Sequence, residues 1–253
     1  MRGLGKTLVV VVLFLSVVAS YRQFRAFDYK INVIECSAQE QYQEVVSRLD
    51  IQARTIGGIT NVSSANSATI AELQKKFDLS VLESCGIIAN RYGHGSCVAI
   101  GTDLVLTARH CLGHEGSWVE ISGRKFDILE QWRSEKYDVG FVRIKGKVPF
   151  VELGLTPALL EEVYAVGAPA SPDFVTNISK GIVTKIKLDW AEYLSAFVID
   201  ATGWYGNSGG PIFNEDGEVA GILVAGPGGE MDNVNVCVPV CQIRSALRTY
   251  LSK

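Results

Sequence analysis

The chain has 253 residues, 47% of them hydrophobic, with 25 glycines and a formal net charge of −3 at pH 7. That length holds one large domain or two small ones, and the composition is that of a globular protein with many turns. Acids and bases are interspersed without a basic stripe, which argues against nucleic acid as a partner.

Residues 1–20 stand apart. Arg2 and Lys6 give a basic start, Leu8 to Leu15 is an unbroken apolar run, and Val18-Ala19-Ser20 closes it with small residues. This is the pattern of a secretory signal. The run is short for a membrane span. Left uncleaved, it would act as an anchor, a membrane tether through residues 4–19. Both outcomes export the remainder, as a secreted, periplasmic or membrane-anchored protein. The six cysteines, at 36, 85, 97, 111, 237 and 241, fit an oxidising compartment, and their even number suggests disulfides.

Further along, Glu35 to Arg54 places Val45, Val46 and Leu49 on one helical face. Thr55 to Ser67 is a Gly, Ser, Thr and Asn-rich loop. Ile70, Leu73, Phe77 and Val81 then predict a second amphipathic helix over 71–82. Residues 21–84 are too few for a large core and read as a helical extension or spacer.

The pattern changes at Cys85. Short apolar or alternating runs, separated by Gly, Asp, Asn and Pro, predict twelve strands. Six are Gly86–Asn90, Ser96–Ile100, Leu104–Ala108, Ser117–Ser122, Lys125–Gln131 and Val139–Lys145. The other six are Val163–Val166, Ile178–Leu188, Leu194–Asp200, Pro211–Phe213, Val219–Ala225 and Val234–Val238. Two sets of six predict an all-β fold of two six-stranded antiparallel barrels, since closure removes exposed edges. Ile243, Leu247 and Tyr250 share one face of a C-terminal helix over 241–251, placed to dock on the second barrel.

The chemistry centres on Trp204-Tyr205-Gly206-Asn207-Ser208-Gly209-Gly210-Pro211. Glycines around a serine make a turn, and they also suit a nucleophile. Gly206 can take a conformation that aims its own N–H and that of Ser208 into one oxyanion hole. Gly206 to Gly210 also fits the G-x-S-x-G elbow, but that arrangement needs a His after the Ser. The three histidines, 94, 110 and 114, all precede Ser208. An order of His, Asp, Ser stays open. His110 ends the apolar run Leu104 to Ala108, a rigid place for a general base. Asp138 opens Asp138-Val139-Gly140-Phe141 and can accept the His110 Nδ1–H. Asp127, Asp173, Asp189 and Asp200 also lie between His110 and Ser208. A non-enzymatic alternative uses His94, Cys97, Cys111 and His114, whose paired spacing suits zinc.

These stretches resemble the trypsin-like serine peptidases of the chymotrypsin fold. Leu106-Thr107-Ala108-Arg109-His110-Cys111 is similar to the family's T-A-A-H-C segment. Asp138-Val139-Gly140-Phe141 resembles its Asp-bearing strand start, and Gly206 to Pro211 its nucleophile segment. The likeness is to the bacterial HtrA-like and glutamyl-endopeptidase-like branch, and it covers about residues 85–250. It implies a serine endopeptidase, acting on protein or peptide and needing no cofactor. His110 would be the base, Asp138 its orienter and Ser208 the nucleophile, with Gly206 and Ser208 as oxyanion donors. It implies a substrate pocket walled by Ala201, Thr202, Gly203, Val224, Ala225 and Gly226. No acid stands there to meet Lys or Arg, so small or medium apolar side chains are expected. It further implies a Cys97–Cys111 disulfide; Cys36–Cys85 and Cys237–Cys241 are candidate pairs for the rest. Two departures matter. Arg109 replaces a small residue beside the His. Asn207 stands where animal trypsins carry an Asp that pairs with a freed N-terminus, so no trimming step is required. A degenerate relative that binds a peptide or protein without cutting it is the alternative.

Overall fold

A computed structural model describes residues 77–191, 193–226 and 233–253. The signal segment, the tether over 4–19, the 35–54 helix, Cys36 and the first half of the 71–82 helix lie outside the described residues. Of that last helix the second half is described. Leu79–Ser84 forms a 3-10 turn capped by Asp78, whose side chain accepts the Ser80 N–H at 2.9 Å. Phe77 stacks on Tyr164 at 4.2 Å, and Val81 and Leu82 join the same core.

Thirteen strands follow among the described residues. The first seven are β1 (Cys85–Asn90), β2 (Gly93–Ala99), β3 (Leu104–Thr107), β4 (Trp118–Ile121), β5 (Arg124–Phe126), β6 (Ile128–Arg133) and β7 (Gly140–Ile144). They form one antiparallel sheet in the order β5-β4-β1-β2-β3-β7-β6. The remaining six are β8 (Glu162–Gly167), β9 (Asn177–Trp190), β10 (Tyr193–Ile199), β11 (Pro211–Phe213), β12 (Val219–Ala225) and β13 (Asn235–Pro239), and these close a barrel. The second half thus matches expectation. The first differs: the strand expected over Lys125–Gln131 is broken at Asp127, giving a seven-stranded sheet in place of a closed six-stranded barrel. The Asp127 carbonyl turns aside to accept the Lys145 N–H at 2.9 Å, which ends one strand and starts the next.

Alternation builds the cores. In β4, Val119 and Ile121 point inward while Trp118 and Glu120 are half-buried. Ile88, Val105, Val119 and Val142 fill the first sheet, and Val163, Val183, Ile199 and Ile212 fill the barrel. A larger cluster joins the two halves through Leu106, Phe141, Phe213, Ile222 and Val238. The helix α1 (Val240–Leu251) seals this junction with Ile243, Ala246 and Tyr250. It reaches further than the second barrel alone. The Tyr250 ring packs on Trp132 and Phe141 at 5.7 and 5.5 Å, and its hydroxyl donates to Glu130 at 2.9 Å. Among the described residues no helix is long and apolar enough to cross a membrane.

Candidate active site

Pairing of β3 with β7 sets Thr107 opposite Gly140, so the segments next to these residues lie side by side. One carries His110, in a 3-10 turn over Arg109–Cys111; the other carries Asp138. The carboxylate holds the histidine at two points. Asp138 Oδ1 accepts the His110 backbone N–H at 3.0 Å, and Oδ2 accepts Nδ1–H at 2.7 Å. Two-point attachment fixes the ring plane and leaves Nε2 for chemistry. Burial, with Asp138 only 6% exposed, would by itself raise its pKa. The hydrogen bonds and charge of His110, with the charge of Arg109, outweigh that and hold the carboxyl below its ordinary value. The partner effect is larger: the Asp138 bond first, then Cys111, raises His110 to about 10.

Arg109 reaches toward the segment that carries Ser134. Its guanidinium donates to the Ser134 carbonyl at 3.4 Å, where its charge favours the ionised Asp138. A further hydroxyl arrives from β10, where Tyr193 donates to Asp138 Oδ2 at 3.4 Å. The competing acids have other work. Asp200 Oδ1 accepts the Ile182 N–H, Asp189 Oδ1 accepts the Ser195 N–H, and Asp173 lies in the 3-10 turn Pro172–Phe174.

Ser208 is strung between the two halves. Its carbonyl accepts the Ser96 N–H of β2 at 2.8 Å. On its other side Gly209 N–H donates to Leu223, and Leu223 N–H donates to Gly210, at 2.7 and 2.9 Å. Gly206 and Gly209 have φ of +99° and +84°, the left-handed region that glycine tolerates. Among the described residues the N–H groups of Gly206 and Ser208 have no backbone acceptor. Ser208, Gly206 and His110 line one cleft of about 310 Å³, with His94, Cys111, His114, Tyr92 and Tyr205 on its walls. No His110–Ser208 hydrogen bond is present among the described residues; in ligand-free active sites this contact is often long and tightens with substrate. Asn207 is 7% exposed and lies against Gly167.

The expected pocket residues lie outside this cleft. Ala201, Gly203 and Val224 are buried, Ala225 is half-buried, and Thr202 and Gly226 are exposed. Between the two walls stands Asn235, which sequence reasoning missed. It is 4% exposed, donates to the Ala201 carbonyl at 2.7 Å, and fills the space beside both Gly203 and Gly226. A lone polar residue opening a strand gives little warning of that role. Ser96 was missed as a site residue too, and His94 was read only as a candidate zinc ligand. Their signal is the period of two, which puts both on one face of β2.

The cysteine pairings are corrected. Cys97 and Cys111 are free thiols. Cys97 points into the first core, whereas the Cys111 thiol turns to donate to the Ser208 carbonyl at 3.5 Å. Cys85 and Cys237 are free as well, donating to Val81 and Asn235 carbonyls, so neither Cys36–Cys85 nor Cys237–Cys241 forms. Among the described residues no three His, Cys, Asp or Glu side chains gather to hold a metal. His94 and Cys97 do not meet His114: His94 Nε2 bonds the Ala168 carbonyl, and Cys97 is buried in the first core.

The family model for the trypsin-like peptidase domain matches residues 95–222. Protease Do-like 2, chloroplastic, of Arabidopsis thaliana is 29% identical over 171 residues, covering 62% of this chain and 28% of its own. Serine protease HTRA1 of Xenopus laevis is 35% identical over 128 residues, covering 47% and 27%. The chain therefore spans less than a third of the length of either relative. A crystal structure of Rv3671c from M. tuberculosis, an inactive Ser-to-Ala mutant, shares the fold with a TM-score of 0.60 at 16% identity. That match covers 72% of this chain and 94% of the other.

Proposed function

The chain belongs to the trypsin-like peptidase domain family, and from that premise we propose that it is a serine endopeptidase with His110, Asp138 and Ser208 as its triad. The observation that carries the reading is the two-point grip of Asp138 on His110, at the rim of the cleft that holds Ser208.

Ser208 Oγ attacks the scissile carbonyl as its proton passes to His110 Nε2. The developing oxyanion meets the N–H groups of Gly206 and Ser208. His110, now an imidazolium steadied by Asp138, protonates the leaving amine, and the peptide stays on Ser208 as an ester. Water, activated by the same imidazole, releases it. The chemistry requires no cofactor. One oxyanion donor contributes about 3 kcal/mol to the transition state.

Asn235 beside Gly203 and Gly226 shortens the space between the pocket walls. Val224 and Ala225 are apolar and no acid lies there, so the enzyme cuts after small or medium apolar residues. The basic start and apolar run of residues 1–20 support export, with the domain beyond them acting outside the cytoplasm.

Digestion of an unfolded protein, with the new termini read by mass spectrometry, tests activity and preference together. Cuts following Ala, Val or similar residues are expected. Cuts after Lys or Arg would overturn the pocket assignment. No cuts by a folded protein would favour the alternative, a binding domain that has lost catalysis.

A further inference from the structure

We propose that His94 and Ser96 of β2 are positioning residues that hold the oxyanion hole open, so that the domain forms it without a partner or an activating cleavage. The inference rests on the peptidase reading and adds a cause for the hole's geometry.

The hole depends on one peptide plane, between Tyr205 and Gly206. In a trans peptide the N–H and C=O point in opposite directions. Whatever fixes the Tyr205 carbonyl therefore aims the Gly206 N–H. That carbonyl accepts the Ala170 N–H at 2.7 Å, so the Gly206 N–H points away from the 168–170 segment. The segment is itself held under strain. Ser171 N–H bonds the Pro169 carbonyl at 2.7 Å, a γ-turn around Ala170, whose φ is +63°. A non-glycine residue keeps such a conformation only where its surroundings impose it.

β2 supplies those surroundings. Ser96 is fully buried, and its hydroxyl both donates to the Gly206 carbonyl at 2.7 Å and accepts the Ala168 N–H at 2.9 Å. Its backbone N–H holds the Ser208 carbonyl at 2.8 Å. One residue thus ties both ends of the Gly206–Ser208 turn to the 168–170 segment. His94, two residues earlier on the same face, donates Nε2–H to the Ala168 carbonyl at 2.7 Å.

That last bond protects the hole from an internal competitor. The Ala168 carbonyl oxygen lies against Gly206, and His94 Nε2 lies within 2.6 Å of where a Gly206 Cβ would stand. Without the imidazole, a buried carbonyl would lose its donor, at a cost in free energy. Turning the Tyr205–Gly206 peptide over would supply a replacement: the Gly206 N–H itself. The hole would then keep one donor, Ser208 N–H.

The test compares the full chain with His94→Ala and His94→Gln, using kcat and KM for one peptide substrate. The carboxamide of Gln can still donate to the Ala168 carbonyl. His94→Ala is expected to lower kcat by about 10²–10³-fold, the usual loss for one oxyanion donor, with KM within about twofold. His94→Gln is expected to recover kcat to within about tenfold of wild type. Wild-type kcat in His94→Ala overturns the proposal. So does a loss in folded His94→Gln as large as that in His94→Ala, and His94→Gln alone decides if the Ala variant does not fold. A folded wild type that hydrolyses no peptide and reacts with no fluorophosphonate would instead remove the peptidase reading, and this inference with it.

Discussion

Ser208→Ala is expected to lower kcat for peptide hydrolysis by about 10⁶-fold, with the melting temperature almost unchanged. The two expectations have separate causes. Oγ is the attacking atom, so nothing on the turn replaces it. The turn is held by backbone groups instead: the Ser208 carbonyl to Ser96, Gly209 N–H to Leu223, and Gly210 N–H to Asn207. An alanine keeps all three. Adding His110→Ala should cost little more, because a base without its nucleophile has nothing to deprotonate. Steady-state kinetics beside a thermal melt reads both quantities. A strong fall in melting temperature would mean that the serine is structural.

Asp138→Asn is expected to lower kcat by about 10⁴-fold. The carboxamide keeps the size of the side chain and removes its charge, so the imidazole loses both its tautomer control and its counter-charge. The pH profile separates this from simple loss of structure. His110 is raised to about 10 chiefly by the Asp138 bond. A base works only when neutral, so wild-type kcat/KM should climb with pH through neutrality and level off near that value. Without the carboxylate the His110 pKa falls back toward the ordinary value of about 6.5. The rising limb of Asp138→Asn should therefore shift to lower pH, while its plateau stays far beneath the wild-type one. A limb that keeps its position would show that Asp138 does not govern His110.

Much of the fold was legible because each strand carries its own signal. β4 and β7 show their buried positions directly in their apolar residues, and turn residues separate the runs. The break at Asp127 was not legible, since it depends on a carbonyl turning to Lys145 from a distant part of the chain. Tyr250 predicted a docking face for α1 but not that its ring would cross to Trp132 and Phe141.

At the site, the pairing of His110 with Asp138 and the cleft shared by His110 and Ser208 were legible, because motif and order agree. The cysteines misled for a physical reason. Resemblance assigned a bond to Cys97 and Cys111, but side-chain direction decides whether two thiols meet. Here Cys97 is fully buried in the first core, and the Cys111 thiol, at the edge of that core, donates to the Ser208 carbonyl. Asn235, His94 and Ser96 act on backbone groups far away in sequence, and no local pattern announces such partners. Arg109 departs from the family's small residue beside the histidine. Its reach to Ser134 makes it a support for Asp138.

The proposed catalysis depends on a nucleophilic hydroxyl at residue 208, activated by the imidazole of residue 110. Treatment of the folded full chain with a fluorophosphonate, followed by peptide mass mapping, measures this directly. One adduct is expected, on Ser208, absent from Ser208→Ala and formed far more slowly by His110→Ala. A folded wild type that takes no adduct, or a His110→Ala variant that takes it as fast as wild type, would overturn the proposed mechanism.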